Sequence, residues 1–263
     1  MSVKTNGEIN YKREYPSPNP NIKLTEITYW SEGLRVKGLL ATPIAKANYD
    51  GILYLRGGMQ GVGMVRPARI AQLASHGFIV FAPYYRGVRG GEGRDEFGGN
   101  DRFDAINAVD VLKHFCLNKR IHLFAFSRGG IMALWTGILR DDITSIVTWG
   151  GVSDIKLTYE ERVDMRRMMK RVLGGSPQKN PIVYEERQPM PRIDEIKAPV
   201  LIIHGMLDDN VGMKHAQLLE NSLKALNKHV ETWYYHDYTH FFPSDVNRKV
   251  VDSACQWMKL QQS

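Results

Sequence analysis

Residues 121–133 read IHLFAFSRGGIMA, an apolar run that ends at Ser127 and continues directly as a helical pattern. This pattern predicts a nucleophile elbow, a sharp turn between a strand and a helix that lifts the serine hydroxyl clear of the sheet. The residues two positions before and after the serine must be small, because larger side chains would collide with the adjoining strand or helix. Ala125 and Gly129 occupy these positions, and Ala125 departs from the usual glycine by one methyl group.

Two later strand patterns run into loops that carry the partners a serine needs. The apolar run at 199–204 precedes a loop with Asp208, and the run at 230–236 precedes a loop with His240. The order serine, acid, histidine is that of α/β-hydrolases, whereas other serine hydrolases use different orders. A serine hydroxyl is a weak nucleophile, so an imidazole must take its proton and a carboxylate must orient the imidazole. We therefore assign Ser127 as nucleophile, Asp208 as orienting acid, and His240 as general acid and base.

The acid and the histidine each have alternatives in the sequence. His236 ends its strand pattern, whereas His240 falls in the loop beyond it, which favours His240. Asp209 is adjacent to Asp208, and Asp154 follows another strand pattern. Both remain candidates for the acid at this stage.

A serine hydrolase also needs two N–H donors for the oxyanion. The N–H of Arg128, directly after the serine, supplies the first. The second is expected from the loop at 57–63, which reads GGMQGVG after the strand pattern at 51–56. Glycines let the backbone approach the substrate closely. By analogy with lipases and esterases, the donor is the N–H of Gly58 or Met59.

These segments together resemble the catalytic domain of the prolyl oligopeptidase family of serine peptidases, within the α/β-hydrolase superfamily. The matching stretches lie between about residues 50 and 245, at 55–58, 83–93, 126–130, 204–211 and 239–241. The resemblance is closest to small bacterial members. It implies a serine hydrolase that cleaves peptide bonds, aminoacyl amide bonds or ester bonds through an acyl-enzyme. It also implies that no cofactor or metal is needed. A carboxylesterase acting on small esters is the alternative. A non-catalytic binding protein with an α/β-hydrolase fold is the alternative from a different class.

The sequence departs from the family pattern in two ways. Large members carry an N-terminal propeller that screens substrates by size, and 263 residues leave no room for one. We therefore expect no such size filter. Arg56 stands where the family often has His or Tyr before the paired glycines. Backbone groups can still supply the oxyanion hole.

Apolar strand patterns alternate with helical patterns along the chain. The alternation predicts one α/β-hydrolase domain over 1–263, with a mostly parallel sheet covered by helices on both faces. An N-terminal β-hairpin is expected at about 22–30 and 34–42. Further strands are expected near 51–56, 78–82, 121–126, 145–149, 199–204 and 230–236, and helices near 66–76, 101–116, 128–140, 212–227 and 245–260.

Residues 154–198 separate two strand patterns by more than a usual connection, and long insertions tend to be functional. Met165, Met168 and Met169 recur there at helical spacing among basic residues. We expect a small helical cap in which Met165 and Met169 border the substrate pocket, and we expect Tyr85 to border the same pocket. The alternative is a helix that merely packs on the body.

Composition narrows the functional classes. The chain is 43% hydrophobic and has a net charge of +7, but no nucleic-acid motif accompanies the charge. Residues 1–20 are polar, and no run of 18 apolar residues occurs, so we expect a cytoplasmic protein with no membrane partner. The glycines at 61–63 lack the third glycine and the acidic residue of a dinucleotide site. Cys116 and Cys255 are expected to be buried free thiols. A small peptide or ester substrate is the expected partner, and pairing of subunits through sheet edges or the cap is left open.

Overall fold

Nine strands form one sheet in the computed structural model, which describes residues 5–261. In chain order they are β1 (Ile9–Tyr15), β2 (Ile22–Ser31), β3 (Leu34–Pro43), β4 (Asp50–Leu55), β5 (Phe78–Pro83), β6 (Ile121–Phe126), β7 (Ser145–Trp149), β8 (Val200–Gly205) and β9 (Val230–Tyr235). Their order across the sheet is β1-β2-β3-β5-β4-β6-β7-β8-β9. The first three strands and β5 pair antiparallel, and every pair from β5 to β9 is parallel.

Helices cover both faces of the sheet. They are α1 (Pro67–Ser75), α2 (Arg102–Lys113), α3 (Gly129–Leu139), α4 (Ile155–Glu161), α5 (Arg166–Leu173), α6 (Pro181–Glu185), α7 (Met213–Ala225) and α8 (Ser244–Leu260). Apolar residues of α1 and α8 pack in one core cluster, and those of α2, α3 and α7 pack in a second. Strands buried on both faces must be apolar throughout, which is why β5 to β8 read as continuous apolar runs. The predicted α/β-hydrolase fold class is confirmed.

The predicted hairpin is formed by β2 and β3, which pair from Ile22 with Pro43 to Ser31 with Leu34. Its two-residue turn is Glu32-Gly33, with φ of 49° and 75°. Positive φ at both turn positions matches the twist of the flanking strands.

Strand β1 was not predicted. Five of its seven residues are exposed, so its sequence carries no apolar alternation. It pairs with β2 at the edge of the sheet, where backbone hydrogen bonds suffice without a buried face.

The insertion at 154–198 lies between β7 and β8. It contains α4, a 3₁₀ turn (Val163–Met165), α5, α6 and a second 3₁₀ turn (Met190–Glu195). Buried residues such as Met169, Leu173 and Tyr184 belong to the same core cluster as α3 and β6. The insertion is therefore packed on the body of the protein. Within residues 5–261, no helix is both long enough and apolar enough to cross a membrane.

Candidate active site

Ser127 lies at the turn between β6 and α3 with a φ of 56°, a conformation that is rare outside glycine. Its N–H donates to the carbonyl of Trp149 at 3.1 Å, and its carbonyl accepts from the N–H of Val152 at 2.9 Å. Two neighbouring segments thus hold the turn. A Cβ on Gly129 would lie 2.1 Å from the carbonyl oxygen of Leu55, so only glycine fits there. Ala125 is fully buried in β6, where its methyl group is accommodated.

Asp208 and His240 meet at the carboxyl ends of β8 and β9. Nδ1–H of His240 donates to Oδ2 of Asp208 at 2.7 Å. Oδ1 of Asp208 accepts from the backbone N–H groups of Asn210 and Val211, each at 2.9 Å. The carboxylate is held at both oxygens, and its side chain is 1% exposed. Since Nδ1 is engaged, Nε2 is the ring nitrogen of His240 that is left for a second partner.

The alternatives from the sequence lie elsewhere. His236 and Asp209 are exposed. Asp154 caps α4, where its carboxylate accepts from the N–H of Leu157 at 2.9 Å. His204 is fully buried and lies 2.8 Å through Nε2 from the carbonyl of Val211, which helps to fix the loop that carries the acid. Burial lowers the pKa of His204, which favours its neutral form.

Ser127 and His240 both line one cleft of about 1190 Å³. The loop after β4 forms its wall beside the serine. A Cβ on Gly57 would lie 3.2 Å from Oγ of Ser127, so the loop backbone is in close contact with the serine. The N–H groups of Gly58, Met59 and Arg128 have no hydrogen-bond acceptor within residues 5–261. All three residues line the cleft.

A buried ionic network lies beneath this wall. The guanidinium of Arg128 pairs with Asp95 and, at 3.4 Å, with Asp101. Asp95 also accepts from the N–H of Gln60 at 3.0 Å and lies 3.6 Å from Arg56. The network therefore ties the serine turn to the loop that faces it. Burial raises the pKa of Asp101 to about 7.

Sequence reasoning missed the network, although it singled out two of its positions. Arg56 was noted only as a departure from a motif, and Arg128 only for its backbone N–H. Paired charges that are separated in sequence leave no periodic pattern. The signal that could have revealed the network is that Arg56 and Arg128 both adjoin strands that the fold buries. A buried charge requires a partner of opposite charge.

Two predicted pocket residues do not line the cleft. Tyr85 is fully buried, with its ring 5.1 Å and 5.2 Å from the guanidinium carbons of Arg56 and Arg128. It packs within the ionic network, which corrects the prediction of a pocket residue. Met169 is also fully buried and belongs to the core. Met165, in the 3₁₀ turn before α5, lines the cleft together with Met168 of α5.

No group of three or more His, Cys, Asp and Glu side chains within residues 5–261 is arranged to hold a metal ion. Cys116 and Cys255 are buried free thiols, and burial raises the pKa of each to about 12.

A sequence profile of the prolyl oligopeptidase family matches residues 64–261. The chain belongs to the prolyl oligopeptidase family. The matched segment includes Ser127, Asp208 and His240, whereas the loop at 57–63 precedes it. This family member is a serine hydrolase of the α/β-hydrolase fold.

Two curated relatives come from Bacillus subtilis (strain 168). The uncharacterized peptidase YtmA is 56% identical over 251 residues, which cover 94% of this chain and 98% of YtmA. The uncharacterized peptidase YuxL is 26% identical over 234 residues, which cover 77% of this chain and 33% of YuxL. The chain therefore matches a relative of similar size along nearly its whole length.

Solved structures share the fold at low identity. The acylaminoacyl peptidase of Pyrococcus horikoshii superposes with a TM-score of 0.77 at 20% identity, covering 92% of this chain and 42% of that one. A puromycin-hydrolyzing peptidase of Mycobacterium tuberculosis gives 0.80 at 20%, covering 93% and 40%. The chain thus spans about two fifths of these peptidases. An acetyl xylan esterase from Paenibacillus sp. R4 gives 0.73 at 18%, covering 97% and 88%.

Proposed function

We propose that this family member cleaves peptide or aminoacyl amide bonds, or the corresponding esters, through an acyl-enzyme on Ser127. The observation that carries the proposal is the 2.7 Å bond from His240 to a buried Asp208, beside a cleft that also contains Ser127. A carboxylate on Nδ1 fixes the tautomer in which Nε2 is free to accept a proton. His240 then acts as general base for Ser127.

Acylation proceeds by attack of Ser127 Oγ on the substrate carbonyl carbon, with its proton passing to His240 Nε2. Collapse of the tetrahedral intermediate breaks the bond to the leaving group, which takes that proton from His240. Water then attacks the ester on Ser127, again with His240 as base, and releases the acid and the free serine. Each half-reaction returns the imidazole to its neutral form.

The developing oxyanion requires donors that are already in place. The free N–H of Arg128 and that of Gly58 or Met59 serve this purpose in the proposal. The ion pairs of Arg128 and Arg56 with Asp95 hold the two segments that carry these donors. Donor positions are thereby set before substrate enters.

The experiment is kcat/KM on matched ester and amide substrates that share each acyl group, with Ser127→Ala as control. We expect turnover of both classes, and loss of turnover in the variant by at least about 10³-fold. Ester cleavage alone would make this an esterase on a peptidase-like fold. Turnover that survives Ser127→Ala would contradict the assignment of the nucleophile.

A second candidate is a carboxylesterase for small esters. It is favoured by the size match to the Paenibacillus acetyl xylan esterase, 88% of which this chain spans. The same paired substrates separate it from the peptidase proposal.

A further inference from the structure

Part of the cleft lies between α1 and α8 and differs chemically from the part beneath the insertion. We call it the α1–α8 chamber and define it by Arg66, Arg69, Arg248, Tyr54, Phe124 and Trp149, all of which line the cleft. Three of these residues are cationic and three are aromatic. Beneath the insertion, Arg162 of the cleft wall is paired with Asp164 at 2.7 Å, whereas Arg171 is exposed and has no carboxylate partner within residues 5–261.

The three arginines of the α1–α8 chamber have no carboxylate partner within residues 5–261. Arg69 is half-buried and donates only to neutral oxygens, Oε1 of Gln72 at 3.0 Å and Oδ1 of Asn247 at 2.7 Å. Arg66 and Arg248 are exposed at the rim. Like charges gathered without a counter-charge repel one another, and a bound anion relieves that repulsion.

The acidic residues of α8 do not neutralise this charge. Asp245 is exposed and lies outside the cleft wall, and Asp252 is 3.0 Å from His76. The charge of the chamber is therefore available to a ligand.

Further donors point to the same ligand chemistry. Trp149 is 3% exposed and lines the cleft, but its Nε1–H has no acceptor in the described chain. Helices α1 and α8 both begin at the chamber without a side-chain cap, although α1 begins with Pro67, which has no N–H, and its Arg69 N–H donates to the carbonyl of Arg66 at 3.0 Å. A helix N-terminus carries partial positive charge. The chamber thus presents donors and positive charge.

Its floor is apolar. The ring of Phe124 stacks on Tyr54 at 6.1 Å between centroids and lies 6.4 Å from the ring of Trp149. A ligand that packs on these aromatic rings and also pairs with the arginines has an aromatic or aliphatic body and an anionic end.

We propose that the α1–α8 chamber recognises a free carboxylate on the substrate, with Arg69 as the residue that determines this specificity. The inference rests on the proposed function, because it assigns the substrate class of the same cleft. The substrate is accordingly a peptide or ester that carries a carboxylate on an apolar group beside the scissile bond. The bidentate geometry of a guanidinium suits this group.

Binding tests the inference without turnover. The Ser127→Ala variant is titrated calorimetrically with N-acetylphenylalanine and with its amide, which differ only in the carboxylate. We expect the acid to bind at least about tenfold more tightly, with a preference that weakens as salt is raised. Adding Arg69→Gln is expected to abolish the preference. Arg167→Gln, an exposed arginine outside the cleft wall, is the matched control and is expected to retain it.

Equal affinity for the acid and the amide, or no binding of either, overturns the inference. So does a preference that survives Arg69→Gln or is lost equally in Arg167→Gln. Two kinetic substrates separate this failure from failure of the proposed function. They are p-nitrophenyl pentanoate and the p-nitrophenyl monoester of glutarate, which carries a free carboxylate. Ser127-dependent turnover of both, without carboxylate preference in the titration, overturns the inference alone. Carboxylate-selective binding with no Ser127-dependent turnover overturns the proposed function alone.

Discussion

Asp208 and Asp209 are adjacent carboxylates in different environments. Asp208 is buried and bonded to His240, whereas Asp209 is exposed. Asp208→Asn should lower kcat by about 10³- to 10⁴-fold, because an amide does not stabilise the imidazolium and its N–H₂ favours the wrong tautomer. Asp209→Asn, which makes the same chemical change one residue away, should leave kcat within about twofold. Equal effects of the two variants on kcat would contradict the assignment of the acid.

Ionisation of Asp101 lowers the free energy of unfolding as the pH rises. Burial raises its folded pKa to about 7, from an ordinary value of 3.8. Between these values the folded chain retains a proton that the unfolded chain has released. Raising the pH from 4 to 7 therefore removes stability, by up to about 1.4 kcal/mol per pH unit from this group.

Asp101→Asn removes this titration. The free energy of unfolding of the variant, relative to wild type, should rise between pH 4 and pH 7, as measured by urea unfolding at several pH values. Only the slope is diagnostic, because the substitution also changes the pairing with Arg128 at every pH. A relative stability that is flat or falls with pH would show that Asp101 ionises normally.

Ser127, Asp208 and His240 could be proposed as site residues from the sequence because each of them follows a strand pattern. Ser127 and Asp208 follow the buried strands β6 and β8, His240 follows the partly exposed edge strand β9, and the parallel sheet brings the ends of these strands to one edge. Pocket residues were predicted less well. Tyr85 was placed in the cleft because nothing in the sequence reveals that two buried arginines enclose its ring.

Two adjacent methionines of helix α5 lie on different faces of the helix. Met168 lines the cleft, and Met169 is fully buried in the core. Met169→Ala should lower the free energy of unfolding by about 2–5 kcal/mol, because it leaves a cavity. Met168→Ala should cost less stability and should change KM more than Met169→Ala does. Urea unfolding and steady-state kinetics on the two variants check this, and a reversed ranking in either would contradict the assignment of faces.

Elements with continuous apolar runs could be predicted closely, since β5 to β8 are buried on both faces. Strand β1 could not, because its seven residues are mostly exposed and its place depends on pairing with β2. The internal division of the insertion also escaped prediction. Its short helices are positioned by contacts with the body, and such contacts leave weak local patterns.

The whole molecule combines a large two-faced sheet with one cleft at the carboxyl ends of its parallel strands. At the carboxyl ends of parallel strands, side chains from separate strands lie close together. The net charge of +7 is unevenly placed, since the α1–α8 chamber contains arginines without carboxylate partners in the described chain. The proposed catalytic groups and the proposed carboxylate site thus share one opening.

The most direct test of the central claim is mass spectrometry of the whole chain after treatment with a fluorophosphonate. The account predicts one phosphonyl group per chain, mapped to the peptide that contains Ser127, because His240 and Asp208 activate that hydroxyl alone. Labelling should be abolished in Ser127→Ala and strongly slowed in His240→Ala, with both variants shown to be folded by circular dichroism. A label on another residue, or none on the folded wild-type chain, would contradict the claim that Ser127 is the nucleophile.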